Sequence, residues 1–248
     1  MPITTPNYAF KGKGQLFLGL SDGSNAKRFV GNVPALSISV EEETDELTDY
    51  TNDAGGNYAT ERRISGASLS ATLSDFSPEN LALATFGSVS AITATTVTDE
   101  PHTARLDGLV NTDYMIDTSV PPVVTDDAGG TTYVEGADYE VNAGGIFPLS
   151  TGAITDGQTI KIDYTKLAGH DIQAMVNSAQ DYTLVFVGLN SVKSGKPVVV
   201  TVHKAKFGPG ENLGFITDEF GAIQLTAAIE KDTGKSSGSQ YFQIQEAS

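Results

Sequence analysis

Apolar and polar residues alternate along much of this chain with the two-residue period of strands that bury one face. The period predicts strands at 15–20, 27–40, 62–73, 182–189, 197–206, 221–230 and 240–245, an antiparallel set with one buried side. One helix is predicted with full punctuation, over 78–86. Ser77 can cap it, Pro78 takes the first helical position, Glu79 lies in the first turn and Gly87 can take the left-handed cap. A shorter stripe, Ile172, Met175 and Val176, predicts a second short helix within 168–178. Residues 1–14 read as an arm, because Pro2 and Pro6 remove ladder donors and Gly12 and Gly14 loosen the chain.

Two stretches break this rhythm. Between 90 and 165, short runs at 92–98, 120–125, 131–134, 139–141 and 159–164 are separated by Asp-Gly and Gly-Gly turns, and Ile160, Ile162 and Tyr164 alternate cleanly. They predict a small sandwich-like all-β domain inserted between the helix and the strand at 182, with its two ends close together. Residues 41–61, EEETDELTDYTNDAGGNYATE, hold Glu41, Glu42, Glu43, Asp45, Glu46, Asp49, Asp53 and Glu61, eight acidic residues and no basic one. A connection of that length without evident structure is uncommon in a compact domain and is usually functional or mobile. Asp53-Ala54-Gly55-Gly56 would turn it back as a hairpin, and the same four letters at 127–130 reflect shared turn chemistry.

Composition narrows the chemistry. A compact monomer of 26.0 kDa exposes roughly 10,000 Å² and buries about 70% of its unfolded surface, enough for a core without staples. With 0 Cys, disulfide scaffolds, cysteine nucleophiles and thiolate metal sites are excluded. His102, His170 and His203 stand alone, with no HExxH and no pair at helical spacing, so hydrogen-bonded or solvated histidines are expected. Asp126, Asp127, Asp138 and Asp156 could offer oxygen ligands to Ca²⁺, but no EF-hand spacing is present and solvated loops are the plainer expectation. Gly12-Lys13-Gly14 and Gly208-Pro209-Gly210 lack the Walker spacing. No catalytic residue, cofactor or metal is expected, and the chain reads as no enzyme.

The formal charge of −16 disfavours binding to nucleic acid, whose partners gather Lys and Arg, without disfavouring contact. It is unevenly spread: −5 over 1–89, −10 over 90–165 and −1 over 166–248. The acidic stretch 41–49 is a solvated loop or else a surface past which a polyanion moves without adhering, since carboxylates repel phosphates over about 8 Å at physiological salt. Arg62 and Arg63 either return to the stretch's own carboxylates or meet acidic residues of another copy. No apolar run approaches the roughly 18 residues of a membrane span, and MPITTPNYAFKGKG lacks a secretory h-region, so no membrane span and no Sec-type export are expected.

The start GKGQLFLG, the segment NVPALSISVEEETDELTDYTNDAGGNYATERRISGASLSATLSDFSPENLALATFG and the return YTLVFVGLNSVKSGKPVVVTVHKAKFGPGENLGFITDEFGAIQLTAAIEKD together resemble the major tail tube proteins of long-tailed bacteriophages. The likeness lies in the order of elements: arm, strands, long acidic hairpin, strand, short helix and the YTLVFVGLN return. It implies a mainly β fold, a tail-tube-type β-sandwich or barrel with one flanking short α-helix, interrupted at 90–165 by an inserted β domain on the outer surface. It implies a structural virion protein whose hexameric rings stack into a hollow tube through which DNA passes without specific binding. Its implied partners are further copies of itself, a tape measure protein, a tail terminator and distal tail proteins. The implied location is the phage tail of the virion, after assembly in the host cytoplasm. Carried onto this chain, Glu41, Glu42, Glu43, Asp45, Glu46, Asp49, Asp53, Arg62 and Arg63 are the expected inter-ring or lumen contacts, and Tyr8, Phe10, Lys11 and Lys13 the contacts of the arm. The competing expectation is a cell-surface or virion module in which the 90–165 domain binds a carbohydrate or protein through Tyr133 and Tyr139; core packing of those two rings would argue against it.

Overall fold

A computed structural model describes residues 8–51, 53 and 55–247. The chain is mainly β and divides into two compact units, Ser90–Asp171 and the described residues on either side of it, through Val89 and from Ile172. Before the inserted unit come β1 (Gly12–Leu20), β2 (Arg28–Phe29), β3 (Ala35–Thr48), β4 (Asn57–Leu73) and α1 (Pro78–Thr85). Next follow β5 (Ser88–Ile92), β6 (Thr96–Thr103), β7 (Val110–Asn111), β8 (Val123–Asp126), β9 (Thr132–Tyr133), β10 (Tyr139–Asn142), β11 (Gly145–Pro148), β12 (Thr159–Thr165) and β13 (Gly169–Gln173). The chain ends with β14 (Asp181–Asn190), β15 (Lys196–Phe207), β16 (Ile223–Ile229) and β17 (Phe242–Glu246). The two crossings between the units, β5 and β13, pair with each other.

The first unit is one eight-stranded sheet in the order β2-β1-β14-β15-β16-β4-β3, with β17 added to the lower half of β15. The strands form because alternate positions can all face one core. In β16, Ile223, Leu225, Ala227 and Ile229 are buried, and the residues between them are not. Leu16 and Leu18 of β1, Leu69 and Leu73 of β4, Leu184 of β14 and Phe207 of β15 complete the same cluster, so the sheet curls over its own apolar face. Among the described residues it does not close, since β2 and β3 each keep an unpaired outer edge. Helix α1 begins as expected, with the Ser77 hydroxyl accepting from the Asn80 amide at 3.2 Å and Pro78 in the first turn. Asn80 is fully buried and ties the helix down, donating to the carbonyls of Val30 and Asp75 and accepting from Arg28 at 2.7 Å.

Several boundaries differ from the sequence reading, each for a local reason. Phe86, not Gly87, takes the left-handed cap, at φ 51°. Gly87 is required instead by close approach, because a Cβ there would come within 2.6 Å of the Gln173 carbonyl oxygen. The expected second helix at 168–178 is absent: 169–173 is β13, and the amides of Met175, Val176 and Asn177 then donate to the carbonyls of Thr85 and Phe86, closing the end of α1. The run 27–40 splits into β2 and β3 around Pro34, with the Asn32 amide held by Asp75 at 3.1 Å. Of the arm expected at 1–14, residues 1–7 lie outside the described residues, and 12–14 already belong to β1, paired with β14 from Gly12 opposite Asn190 onward. Gly14 serves packing rather than looseness, since a Cβ there would strike the Val187 carbonyl oxygen at 2.4 Å.

The inserted unit packs two sheets, β6-β12-β8-β9 and β10-β11-β7, on its own core. Ile160, Ile162 and Tyr164 of β12 point into it with Ile116, Ile146 and Val124. Its short strands β7 and β11 were not marked by the sequence pattern, and its bounds reach 171 rather than 165.

A candidate assembly surface: the ribbon, the arm and the open edges

The acidic stretch is a continuation of the sheet. Strands β3 and β4 pair without interruption from Ala35 opposite Thr72 to Thr48 opposite Asn57, apart from bulges at Glu41/Glu42 and Leu47/Thr48. Residues 41–48 and 57–65 are exposed on both faces. This two-stranded ribbon therefore projects beyond the core by roughly 25 Å at 3.3 Å per residue. Its tip is closed by the Asp49 amide donating to the Gly56 carbonyl at 2.8 Å and by Asp49 accepting from Thr51. Asp53 is exposed at the tip, and the expected 53–56 turn lies partly outside the described residues.

Register decides how the carboxylates meet. Glu43 lies directly opposite Arg63 and accepts two hydrogen bonds from it at 2.8 and 3.1 Å, while Arg62 reaches Glu42 at 3.5 Å. The arginines thus return to their own ribbon. Asp45 lies directly opposite Glu61, a like-charge pair that weakens an isolated ribbon. Glu46 faces Thr60, and Glu41 sits beside the bulge where the ribbon leaves the core. Val40, Leu47, Tyr58 and Ile64 add exposed apolar groups along it.

The arm is fixed by a residue that sequence reasoning missed. Asn190 is buried at the β14 end; its Nδ2 donates to the Ala9 carbonyl at 3.0 Å, and its Oδ1 accepts from the amides of Lys11 at 3.1 Å and Val192 at 3.2 Å. The amide and hydroxyl of Ser191 both donate to the Lys11 carbonyl. Tyr8 places its ring 5.3 Å from the Lys193 ammonium, which also pairs with Glu246 at 2.7 Å. Phe10 is exposed and lines an apolar groove together with Lys13. An Asn before a short turn is the only sequence signal that could have pointed to this clamp.

Other polar clusters are accounted for locally. Lys204 and Lys206 of β15 both bridge Asp181 and Glu230, at 2.8 to 3.3 Å. Burial works against the Asp181 charge, but the two ammonium groups outweigh it and hold its pKa below the ordinary carboxylate value. In the insert, burial likewise opposes ionised Glu100, yet hydrogen bonds from Tyr164 at 2.6 Å and the Asp113 amide at 2.9 Å, with His102 at 2.6 Å, keep its pKa low. His203 is buried and its pKa lowered by that burial, while His170 is exposed. Asp126 accepts from the amides of Gly130 and Thr131, Asp138 from those of Val134 and Ala153, Asp156 from that of Leu106, and Asp127 pairs with Lys161. The four aspartates considered for Ca²⁺ are thus dispersed among turns, and among the described residues no group of three or more His, Asp or Glu could hold a metal ion. Tyr133 and Tyr139 are core residues, with the Tyr139 hydroxyl donating to the Pro122 carbonyl at 3.0 Å. They therefore offer no exposed aromatic platform. Among the described residues no helix is long and apolar enough to cross a membrane.

No curated protein matches the chain. A family model does, over residues 9–245, which takes in the arm's clamp, the ribbon, the helix and the insert alike. On that match the chain belongs to the family described as protein of unknown function UCP028589.

Proposed function

We propose that this chain is a structural subunit of a long-tailed phage tail tube, assembling as hexameric rings that stack into a conduit for DNA. The observation that carries the reading is the β3–β4 ribbon, exposed on both faces beyond a well-packed core. A two-stranded ribbon is marginal alone in water, so a ribbon of this length calls for a partner surface. Edges at β2, β3 and β17 that are unpaired among the described residues invite strand pairing with other chains, which a ring satisfies around its circumference.

In this reading the ribbon reaches the adjacent ring and the arm makes a second axial contact. The tape measure, terminator and distal tail proteins set length and ends. The insert carries most of the negative charge and stands outside, because a domain of that size would obstruct a lumen that admits duplex DNA. The carboxylates left to line the lumen are those of the first segment. Electron microscopy of the purified protein tests the reading: tubes or six-fold rings are expected, and strictly monomeric particles at high concentration under every salt condition would overturn it.

A further inference from the structure

Two features of the first unit are unpartnered and complementary. The first is an apolar groove of about 600 Å³ between the start of β3 and the β1, β14, β15 and β17 strands. Leu16, Leu36, Ile38, Phe186, Phe242 and Ile244 line it, and Lys13 stands at its margin. That space is about four times the roughly 150 Å³ that encloses a benzene ring, so it has room for more than one large side chain. The second is the loop between β15 and β16. Its ends are held by the Gly210 amide on the Ala84 carbonyl at 2.7 Å, the Glu211 amide on the Gln224 carbonyl at 3.0 Å, and Leu213 packed on the core. Between those anchors Phe215 is 79% exposed, and Ile216 and Phe220 are 100% exposed. Three large apolar side chains on one anchored loop form a patch of the kind that marks an interface.

We propose that the groove receives the 211–220 loop of a second copy of this chain. Charge selects this occupant. The loop carries Glu211, Asp218 and Glu219, with no basic residue between Lys206 and Lys231. The groove end of the unit carries Lys11, Lys13 and Lys196, exposed and without an acidic partner among the described residues, beside Lys193, which is taken by Glu246. Aromatic anchors entering an apolar slot, with carboxylates directed at its lysine margin, satisfy both partners. No residue of the loop lines the groove of its own chain. The contact is therefore heterologous, one patch on a different patch, which generates a ring when the rotation closes. The inference rests on the self-assembly reading above and names the lateral contact within it.

The test uses the absence of native cysteine. Ile38→Cys and Phe220→Cys chains are purified separately, mixed and oxidised, then resolved without reductant. A disulfide-linked mixed pair, absent when either variant is oxidised alone, is expected. A link that appears only inside a doubly substituted chain overturns the proposal in favour of self-insertion. Separately, Ile216→Ser with Phe220→Ser alters fully exposed positions, so the subunit stays folded by circular dichroism. It should raise the concentration needed for rings at least tenfold. Rings at the wild-type concentration from that variant overturn the loop contact and leave the tube reading standing. A wild-type chain that stays monomeric, with no mixed disulfide, overturns both.

Discussion

Replacing Asn190 by alanine should release the arm while leaving both cores intact. The side chain makes three hydrogen bonds, to the Ala9 carbonyl and from the Lys11 and Val192 amides, at 3.0 to 3.2 Å. Each is worth about 0.5–1.5 kcal/mol net, and the abandoned backbone groups are only partly buried, so water recovers some of the loss. An effect of about 2 kcal/mol on arm docking follows, which is about 30-fold in the opening equilibrium at 1.4 kcal/mol per tenfold. Hydrogen exchange reads it directly, and the informative amide is Ser191. Its bond to the Lys11 carbonyl at 3.0 Å is chemically untouched by the substitution, so faster exchange there reports the arm leaving rather than the loss of an acceptor. Asn190→Asp keeps the acceptor oxygen for the Lys11 and Val192 amides but sets a carboxylate oxygen against the Ala9 carbonyl, and should also speed exchange at Ser191. Unchanged exchange at Ser191 in Asn190→Ala would refute the clamp, showing that Ser191 and the strand pairing hold the arm unaided.

Deleting 42–60 should leave a folded subunit, because the core of β3 and β4 lies at 35–40 and 67–73; stacked rings in electron micrographs of that deletion would show that the ribbon is not the axial contact. Joining Val89 to Ile172 through a short linker should preserve assembly and a cooperative unfolding transition, since β5 and β13 bring the two crossings together; failure to form tubes would make the insert structural. Acid should weaken the insert. Glu100 has a folded pKa below its ordinary 4.5, so its contribution is present above that value and lost as pH falls through the folded pKa. Glu100→Gln should flatten that dependence in tyrosine-fluorescence titrations, and an unchanged slope would sink the assignment. At the other extreme, burial pushes the Tyr139 hydroxyl from 10.0 up to about 12, so the folded insert holds a proton that the unfolded chain gives up and stability falls across that interval. Tyr139→Phe, measured by urea denaturation from pH 9 to 12, should remove part of the fall.

What the sequence made legible followed from local rules. The two-residue period located β14, β15 and β16 to within a residue or two, most cleanly in β16, where buried and exposed positions alternate without exception. The Ser77-Pro78-Glu79 punctuation located α1 for the same reason: a helix start is satisfied within one turn. What could not be read depended on partners distant in sequence. The stripe at Ile172, Met175 and Val176 looks helical, yet its backbone is spent pairing with β5 and capping α1. Gly14 and Gly87 look like flexible points, but each exists for a neighbour approaching from far along the chain. The acidic stretch was visible as a long hairpin, whereas its character as a ladder broken only by two bulges, and the choice of Arg62 and Arg63 for Glu42 and Glu43, required the register. Asn190 carried almost no signal, because one asparagine in a turn looks like any other.

The forces available to the proposed assembly divide unequally between charge and apolar area. On the ribbon, two exposed ion pairs contribute about 0–1 kcal/mol each, and Asp45 opposite Glu61 offsets a similar amount, so electrostatics within the ribbon come close to cancelling. Val40, Leu47 and Ile64 are each more than half exposed, and full burial of one such side chain is worth about 1.5–3 kcal/mol. Covering those three residues therefore outweighs every ion pair on the ribbon, even after part of the gain is offset by ordering the partner side chains. Carboxylates are nonetheless useful on such a surface. Unscreened over about 8 Å, they penalise approach in the wrong register and oppose edge-to-edge association of free subunits. The apolar positions then determine how tightly a correctly placed neighbour is held, and the acidic ones determine which neighbour and which register that is.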